Sequence, residues 1–468
     1  MNMVLLENIY KKAEKIAFIL LSILVVDLCV FGAGRLVELG PLTFRMGLLL
    51  LLFVFCIPLF LKNIKELFKS NYIRAIMVFA FLAVIATVIG VVNNNRMNLI
   101  VTDIKGFIYF AFLPCVLVLV NSYDRCIVLA KACMYSAAAQ AMVHIIYICL
   151  YISNVPWLES VSQFCDERRF FYVSYKISPT NVRVSFLSAI CLLLGVAFSI
   201  YFSTKAKTKL NKIVYPSITA ICGFSLLASY TRSVFLAVAV TVFVLLVVLL
   251  IRLPKKEKMM ILTHLLIMLV VFSVIIAGFK VVSGENYFTY ALSRTFVGID
   301  FLEDLFTNTG SSGSVDSGNE DSDDDSDKLD TFHQNTVDSD SIRAVTVGEL
   351  VSNIKKSPII GLGFGAEIPS RPDGLNEYFF LDLFSKMGII GLISYLSPLG
   401  FMLVQLIQMF RRKHKQFLLA LTWFSVLLGL VVYSYFTPCM NSSVGILVYC
   451  CVMAVFNFYN RSQLNLED

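Results

Sequence analysis

The sequence predicts an all-α integral membrane protein with about twelve transmembrane helices, and three observations support that class. Hydrophobic residues make up 58% of the 468 residues and charged residues only 15%, with a mean hydropathy of +0.78. A soluble domain of this length does not need so much apolar surface. Apolar runs of about 20 residues recur along the chain, each long enough to cross a ~30 Å hydrocarbon core. Lysine and arginine cluster in alternate connections between the runs, as the positive-inside rule requires. That distribution explains the net charge of +7, so no nucleic-acid partner is inferred.

The first run, 16–34, follows Lys11, Lys12 and Lys15. It is too long for the apolar region of a signal peptide and lacks a small-residue cleavage site, so it reads as a retained helix with a cytoplasmic N-terminus. Further spans are expected at 42–61, 73–92, 104–120, 127–152, 183–203, 212–230, 233–251, 260–282, 378–410, 416–435 and 440–458. Basic clusters at Lys62–Lys69, Lys205–Lys212, Arg252–Lys258, Arg411–Lys415 and Arg461 all fall on one side, which also makes the C-terminus cytoplasmic. The outer connections are then 35–41, 93–103, 153–182, the tight turn Tyr230-Thr231-Arg232, and the long loop Ser283–Leu375. Three regions follow: helices over 1–282, an extracytoplasmic loop over 283–375, and helices over 376–468.

Within the long loop, Gly310–Asp330 is acidic and serine-rich with almost no apolar residue, and is expected to be disordered. It lacks the glycine and terminal glutamate of an EF-hand loop, which argues against calcium. The flanks Glu285–Leu305 and Thr336–Ser357 are patterned as short amphipathic helices. Most of the twelve cysteines lie within apolar runs with no metal-ligand spacing, so neither a disulfide framework nor a metal site is expected. Cys165 is placed alone on the outside.

Few ionisable residues lie within spans. His144 reads as a hydrogen-bonded packing residue, Arg45 as a snorkelling helix-end residue, and Asp27 as a functional candidate, because intramembrane carboxylates are costly. A coupled transporter would place several such groups near the midplane. Here they gather at the outer face instead: Arg232 in its tight turn, Arg294 and Arg343 flanking the acidic insert, and Arg168, Arg169 and Lys176 after the fifth span. Guanidinium groups bind phosphate oxygens bidentately, so an outer cavity lined by them suits a pyrophosphate. The stretch Arg343–Leu396 is the centre of this reading. A helical pattern there stops at Ser357-Pro358, a turn with Gly361, Gly363 and Gly365 follows, and Asn376-Glu377 leads into an apolar helix. The turn lacks the ending of a P-loop and reads first as a flexible connection. Glu377 is either a solvated carboxylate at a helix start or a general base.

Residues Thr231–Phe235, and "SPIIGLGFG" followed by "EYFFLDLFSKMGIIGLISYL" after Arg343, resemble the O-antigen ligase and O-antigen polymerase superfamily. The resemblance implies a glycosyltransferase-C-like bacterial inner-membrane enzyme with one large outer loop between helices nine and ten. It implies that Arg232 and Arg343 hold the pyrophosphate of an undecaprenyl-linked sugar donor. Where the ligases carry a histidine eleven residues before the first glycine of "GIIG", this chain has Glu377, a departure that favours the polymerase branch. The expectation is thus a polysaccharide polymerase of the outer face of the cytoplasmic membrane. Glu377, Arg343 and Arg232 would be catalytic, and Arg294, Asn376, Gly363 and Gly365 would bind substrate. No cofactor or metal is required, and a chain-length regulator and a flippase would be partners. A ligase and a polysaccharide flippase are the alternatives.

Overall fold

The computed structural model describes residues 3–32, 38–39, 42–178, 181–186, 188–284, 342–372 and 376–464. Arg294, the insert 310–330 and the flank 285–305 lie outside the described residues, as does the side chain of Lys176. Among the described residues ten helices are long and apolar enough to cross a membrane, and the chain is a multi-pass membrane protein. They are α2 (Phe44–Lys69), α3 (Asn71–Val92), the composite Met97–Leu119, α6 (Tyr123–Ile152), α9 (Lys209–Ala228), α10 (Arg232–Arg252), α11 (Lys255–Ser283), α13 (Phe379–Arg411), α14 (Phe417–Phe436) and α15 (Ser443–Leu464). The composite is made of α4 (Met97–Phe107), a 3₁₀ turn (Ile108–Phe112) and α5 (Leu113–Leu119).

The other two expected spans coincide with α1 (Met3–Phe31), which carries Glu14, Lys15 and Asp27, and α8 (Cys191–Ser203). With only 13 residues, α8 is shorter than a bilayer core at 1.5 Å per residue, and it is buried along its whole length. The expected span 183–203 is therefore corrected. Its first part is a strand, because Val182, Val184 and Phe186 alternate into the core, a period of two rather than 3.6. This strand, β4 (Asn181–Phe186), pairs antiparallel with β3 (Phe171–Ser178). β3 lies beside the short α7 (Leu158–Glu167), and a second small hairpin joins β1 (Glu38–Leu39) to β2 (Leu42–Thr43). Cys165 is not alone on the outside: it is buried in an aromatic cluster with Phe170 and Phe171, and burial pushes its thiol pKa up.

Side chains on α11 such as Leu262, Leu266, Leu269 and Val274 are exposed, which fits a face turned to lipid chains. By contrast α14 and α15 are largely enclosed, and Trp423, Phe456 and Tyr459 have essentially no exposed surface. Asp27 and Arg45 form an ion pair, Arg45 Nε donating to Asp27 Oδ2 at 2.8 Å with both side chains mostly buried. Each charge is thereby answered, and the pair ties α1 to the start of α2. His144 shares a hydrogen bond with Ser225 Oγ at 2.7 Å and lies against the ring of Phe186.

Candidate active site

A helix over 342–356, here α12, lies in the segment between α11 and α13. Its residues Thr346, Leu350 and Asn353 recur at helical spacing and are buried, so one face docks. That face grips the loop that follows. Thr346 Oγ1 meets Ser370 Oγ at 3.1 Å, Asn353 Nδ2 donates to the Glu367 carbonyl at 3.2 Å, and Glu349 Oε2 accepts from both the backbone N–H and the hydroxyl of Ser370. Arg371 N donates to the Ile368 carbonyl at 3.0 Å, closing a tight turn. Leu350, Ile368 and Tyr378 pack beneath this platform, and Arg96 binds Glu367 and the Pro372 carbonyl at its edge.

Between platform and α13 runs the glycine turn. Gly363 has φ +83°, and a Cβ there would lie 2.2 Å from the backbone N of Gly90, so α3 and the turn touch backbone to backbone. Gly388 interrupts α13 at φ +66°, ψ −174°. The break frees carbonyls of the preceding turn. Leu362 N donates to the Ser385 carbonyl and Gly363 N to the Lys386 carbonyl, both at 2.9 Å. Phe364 N donates to the Ala86 carbonyl at 3.0 Å and Gly365 N to Asp103 Oδ2 at 2.8 Å. Gly363 and Gly365, expected to bind substrate, are engaged within the protein. Their N–H groups are taken by protein acceptors, and the turn is the seam joining α3, α4 and α13.

Beneath the seam lies a polar network that sequence reasoning missed. Lys386 Nζ donates to Asp103 Oδ1 and to Asp382 Oδ2, each at 2.8 Å, and the lysine side chain is 3% exposed. Asn376 Nδ2 donates to Asp382 Oδ1. Asn376, expected to bind substrate, thus spends its amide on the protein, and its Oδ1 has no partner among the described residues. The sequence places Asp103 in the outer connection 93–103, whereas α4 begins at Met97 and carries it inward. The legible signal is the Asp382/Lys386 pair, four apart in an apolar stretch, where an isolated charge is too costly to stand.

Glu377 follows Asn376 directly and sits between two guanidiniums. Arg343 Nε donates to Glu377 Oε2 at 2.7 Å, and Arg371 Nη2 donates to Oε1 at 2.9 Å. All three side chains are about a third exposed, at 33%, 30% and 29% for Arg343, Arg371 and Glu377. The structure therefore brings Arg343 and Glu377 together and adds Arg371. No apolar periodicity surrounds Arg371 in "SRPDG", so only the fold of the platform reveals it.

Arg232 begins α10, two residues after Tyr230, which has φ +48°. Thr241 Oγ1 of α10 donates to the Ser425 carbonyl of α14, and Arg252 at the far end of α10 lies over the rings of Phe410 and Phe417. The two helices thus run antiparallel, with Arg232 at the Phe436 end of α14. The ring of Tyr378, adjacent to Glu377, lies 5.9 Å from Tyr435 and 6.5 Å from Phe436 at that same end. Arg183, on β4, donates to the Ser229 carbonyl just before the Arg232 turn and adds a second arginine there.

No curated protein matches the chain. Residues 217–396, fewer than half of the chain, match the O-antigen ligase family. The matched stretch holds Arg232, Arg343, Arg371, Glu377, the Asp382/Lys386 pair and the Gly388 break, and over that stretch the chain is similar to this family of glycan-processing membrane proteins.

Proposed function

We propose that the chain is a membrane glycosyltransferase that joins lipid-linked oligosaccharide repeat units. The observation that carries this reading is the cluster of two arginines on one carboxylate at the end of the helix bundle that also bears Arg232. The donor is a growing glycan on undecaprenyl pyrophosphate, and the acceptor is a sugar hydroxyl of a new unit. The hydroxyl oxygen attacks the anomeric carbon of the donor, a glycosidic C–O bond forms, and the C–O bond to pyrophosphate breaks. Glu377 takes the hydroxyl proton, and the lipid pyrophosphate leaves with the bonding electron pair. Arg343, Arg371 and Arg232, with Arg294 from the long loop, complement the charge that develops on the leaving group. With guanidiniums in that role the reading assigns no metal.

The end carrying Lys62–Lys69, Arg252–Lys258 and Arg411–Lys415 is assigned to the cytoplasm of a bacterium, together with both termini, and the reaction to the outer face. Regions 1–282 and 376–468 form the membrane part, and 283–375 the outer loop. A flippase supplying units and a chain-length regulator are the expected partners. The family match favours a ligase as the second reading, with glycan transfer to a non-repeat acceptor.

The test is glycan laddering by gel in a deletion strain complemented with wild type, Arg343→Ala, Arg371→Ala or Glu377→Gln. Restoration by wild type and single units with the variants, at normal expression, is the expected result. A ladder that persists on the lipid carrier but is no longer attached would identify a ligase instead.

A further inference from the structure

The short helix α7, between α6 and the β3–β4 hairpin, has three kinds of side. One faces the protein: Leu158 and Cys165 are buried with Tyr147, Phe170 and Phe171, and Ser162 Oγ lies 2.6 Å from Tyr147 Oη. A second is polar and exposed, carrying Glu159, Gln163, Asp166 and Glu167. The third is apolar and also exposed. Trp157 at the N-cap, Val161 and Phe164 follow the i, i+4, i+7 spacing of a single stripe and keep 54%, 37% and 47% of their surface accessible. The Arg168 guanidinium lies over the Phe164 ring, 5.6 Å from its centre, at the end of the stripe. Docking against the protein accounts for the first side only.

The depth of α7 identifies what the stripe faces. The 30 residues of α6 span about 45 Å at 1.5 Å per residue, more than a hydrocarbon core of ~30 Å. Lys131 is the last charged residue of α6, and about 20 residues from there bring the far edge of the core near Tyr151. Tyr147, which meets Ser162, stands before that edge, and Val143 packs against the same cluster. Helical side chains lean toward the N-terminus of their helix, so Tyr147 reaches further into the membrane from its Cα, not out of it. α7 therefore lies beside the closing turns of α6, not beyond them. The outward stripe of α6, with Tyr135, Met142, Ile146 and Cys149 all exposed, runs up to the connection 153–156 that leads into Trp157. The two stripes are thus continuous. A stable protein interface buries about 1,200–2,000 Å² in total, far more than three half-exposed side chains supply.

We propose that α7 is an in-plane interfacial helix whose Trp157, Val161 and Phe164 stripe is seated at the boundary between acyl chains and headgroups, with phospholipid as its partner. Tryptophan favours that boundary because its ring is apolar and its N–H is polar, and Arg168 keeps its charge in the headgroup layer while its stem covers the stripe. The polar flank then faces water. α7 packs on β3, β3 pairs with β4, and Arg183 of β4 donates to the Ser229 carbonyl beside the Arg232 turn. The helix thus ties to the leaflet a hairpin that reaches the candidate site. This inference does not depend on the glycosyl-transfer reading.

The experiment uses tryptophan emission from the full chain in phosphatidylcholine nanodiscs. The chain holds two tryptophans, and the other, Trp423, is fully buried against Phe198. Trp423→Phe therefore leaves Trp157 as the one indole emitter. Its emission is expected to fall by about half when the lipid is brominated high on the acyl chains, and by clearly less when the bromines sit near the chain ends. Iodide in the water is expected to quench it at least about threefold more weakly than free N-acetyltryptophanamide. In a Trp157→Phe, Trp423→Phe background, Phe164→Trp should match Trp157, whereas Glu159→Trp on the polar flank should be quenched by iodide and not by bromolipid. Free access of iodide to Trp157 with no bromolipid effect puts the stripe in water and overturns the proposal. Protection from both quenchers also overturns it, since a protein surface, a second copy or residues 285–341, then covers the stripe. Trp157 in lipid with Phe164→Trp in water overturns the in-plane seat. If Trp423→Phe fails a thermal melt, the difference between wild type and Trp157→Phe reports the same indole.

Discussion

Lys386 has no route to water: its ammonium is held between Asp103 and Asp382, and its side chain is 3% exposed. Removing one partner of a buried ionic group leaves the others uncompensated, at a cost of about 3–5 kcal/mol. Lys386→Met removes the one cation that the two carboxylates share and is expected to incur that full loss, read as a large fall in melting temperature in detergent. Asp382→Asn keeps one carbonyl oxygen to accept from Lys386, leaves the lysine its Asp103 partner, and presents an amide N–H that the unpartnered Oδ1 of Asn376 can accept once that side chain turns over, so a smaller fall is expected. Equal losses would show that the network does not act through charge. At this scale the sequence is only half legible. Glu377 and Arg343 can be singled out because they stand beside a helix start and a glycine turn. Arg371 and Asp103 cannot, since their roles depend on contacts with residues 6 and 283 positions away. No local period records such contacts.

The elements are easier to read, and their misreadings have particular causes. Long apolar helices announce themselves because lipid demands about 20 apolar residues in a row. The composite Met97–Leu119 begins seven residues earlier than the expected 104, because Asn98, Thr102 and Asp103 look like loop residues until their partners are seen. The β3–β4 hairpin is hidden by Val182–Phe186 running into the apolar stretch of α8. The break in α13 is the sharpest case at this scale. Gly388 occupies a backbone region open essentially to glycine alone, and an added Cβ would lie 2.1 Å from the Ile359 carbonyl oxygen. Gly388→Ala is therefore expected to destabilise by more than about 3 kcal/mol, the strain and the clash adding. Gly348, on the exposed side of α12 with nothing within 4 Å of the place a Cβ would take, is the internal control. Gly348→Ala should stabilise by about 0.5–1 kcal/mol through helix propensity. Thermal denaturation of the two variants in parallel checks the contrast, and similar melting points for both would remove the structural role given to the break.

For the whole molecule, the two ends of the bundle differ in how many of their arginines meet carboxylates. At one end Arg252 donates to the Phe410 carbonyl and Arg461 to the Glu66 carbonyl, and Arg125 pairs with Glu14, among lysine clusters that suit an anionic membrane surface. At the other, Arg45, Arg96, Arg343 and Arg371 are engaged with carboxylates, and Arg183 with a carbonyl. The first end fits the cytoplasmic side and the second the face where a lipid-linked glycan is handled, which makes sidedness a test of the whole scheme. Eleven of the native cysteines are buried, so replacing the exposed Cys149 with serine gives a quiet background for labelling. A cysteine at the exposed Ser352 position of α12 is expected to react with a membrane-impermeant maleimide in intact cells, after outer-membrane permeabilisation where one is present. One at the exposed Lys256 position should react only after the cytoplasmic membrane is opened. The reverse pattern would put the arginine cluster in the cytoplasm, where nucleotide-sugar donors are available, and would end the case for joining lipid-linked repeat units at the outer face.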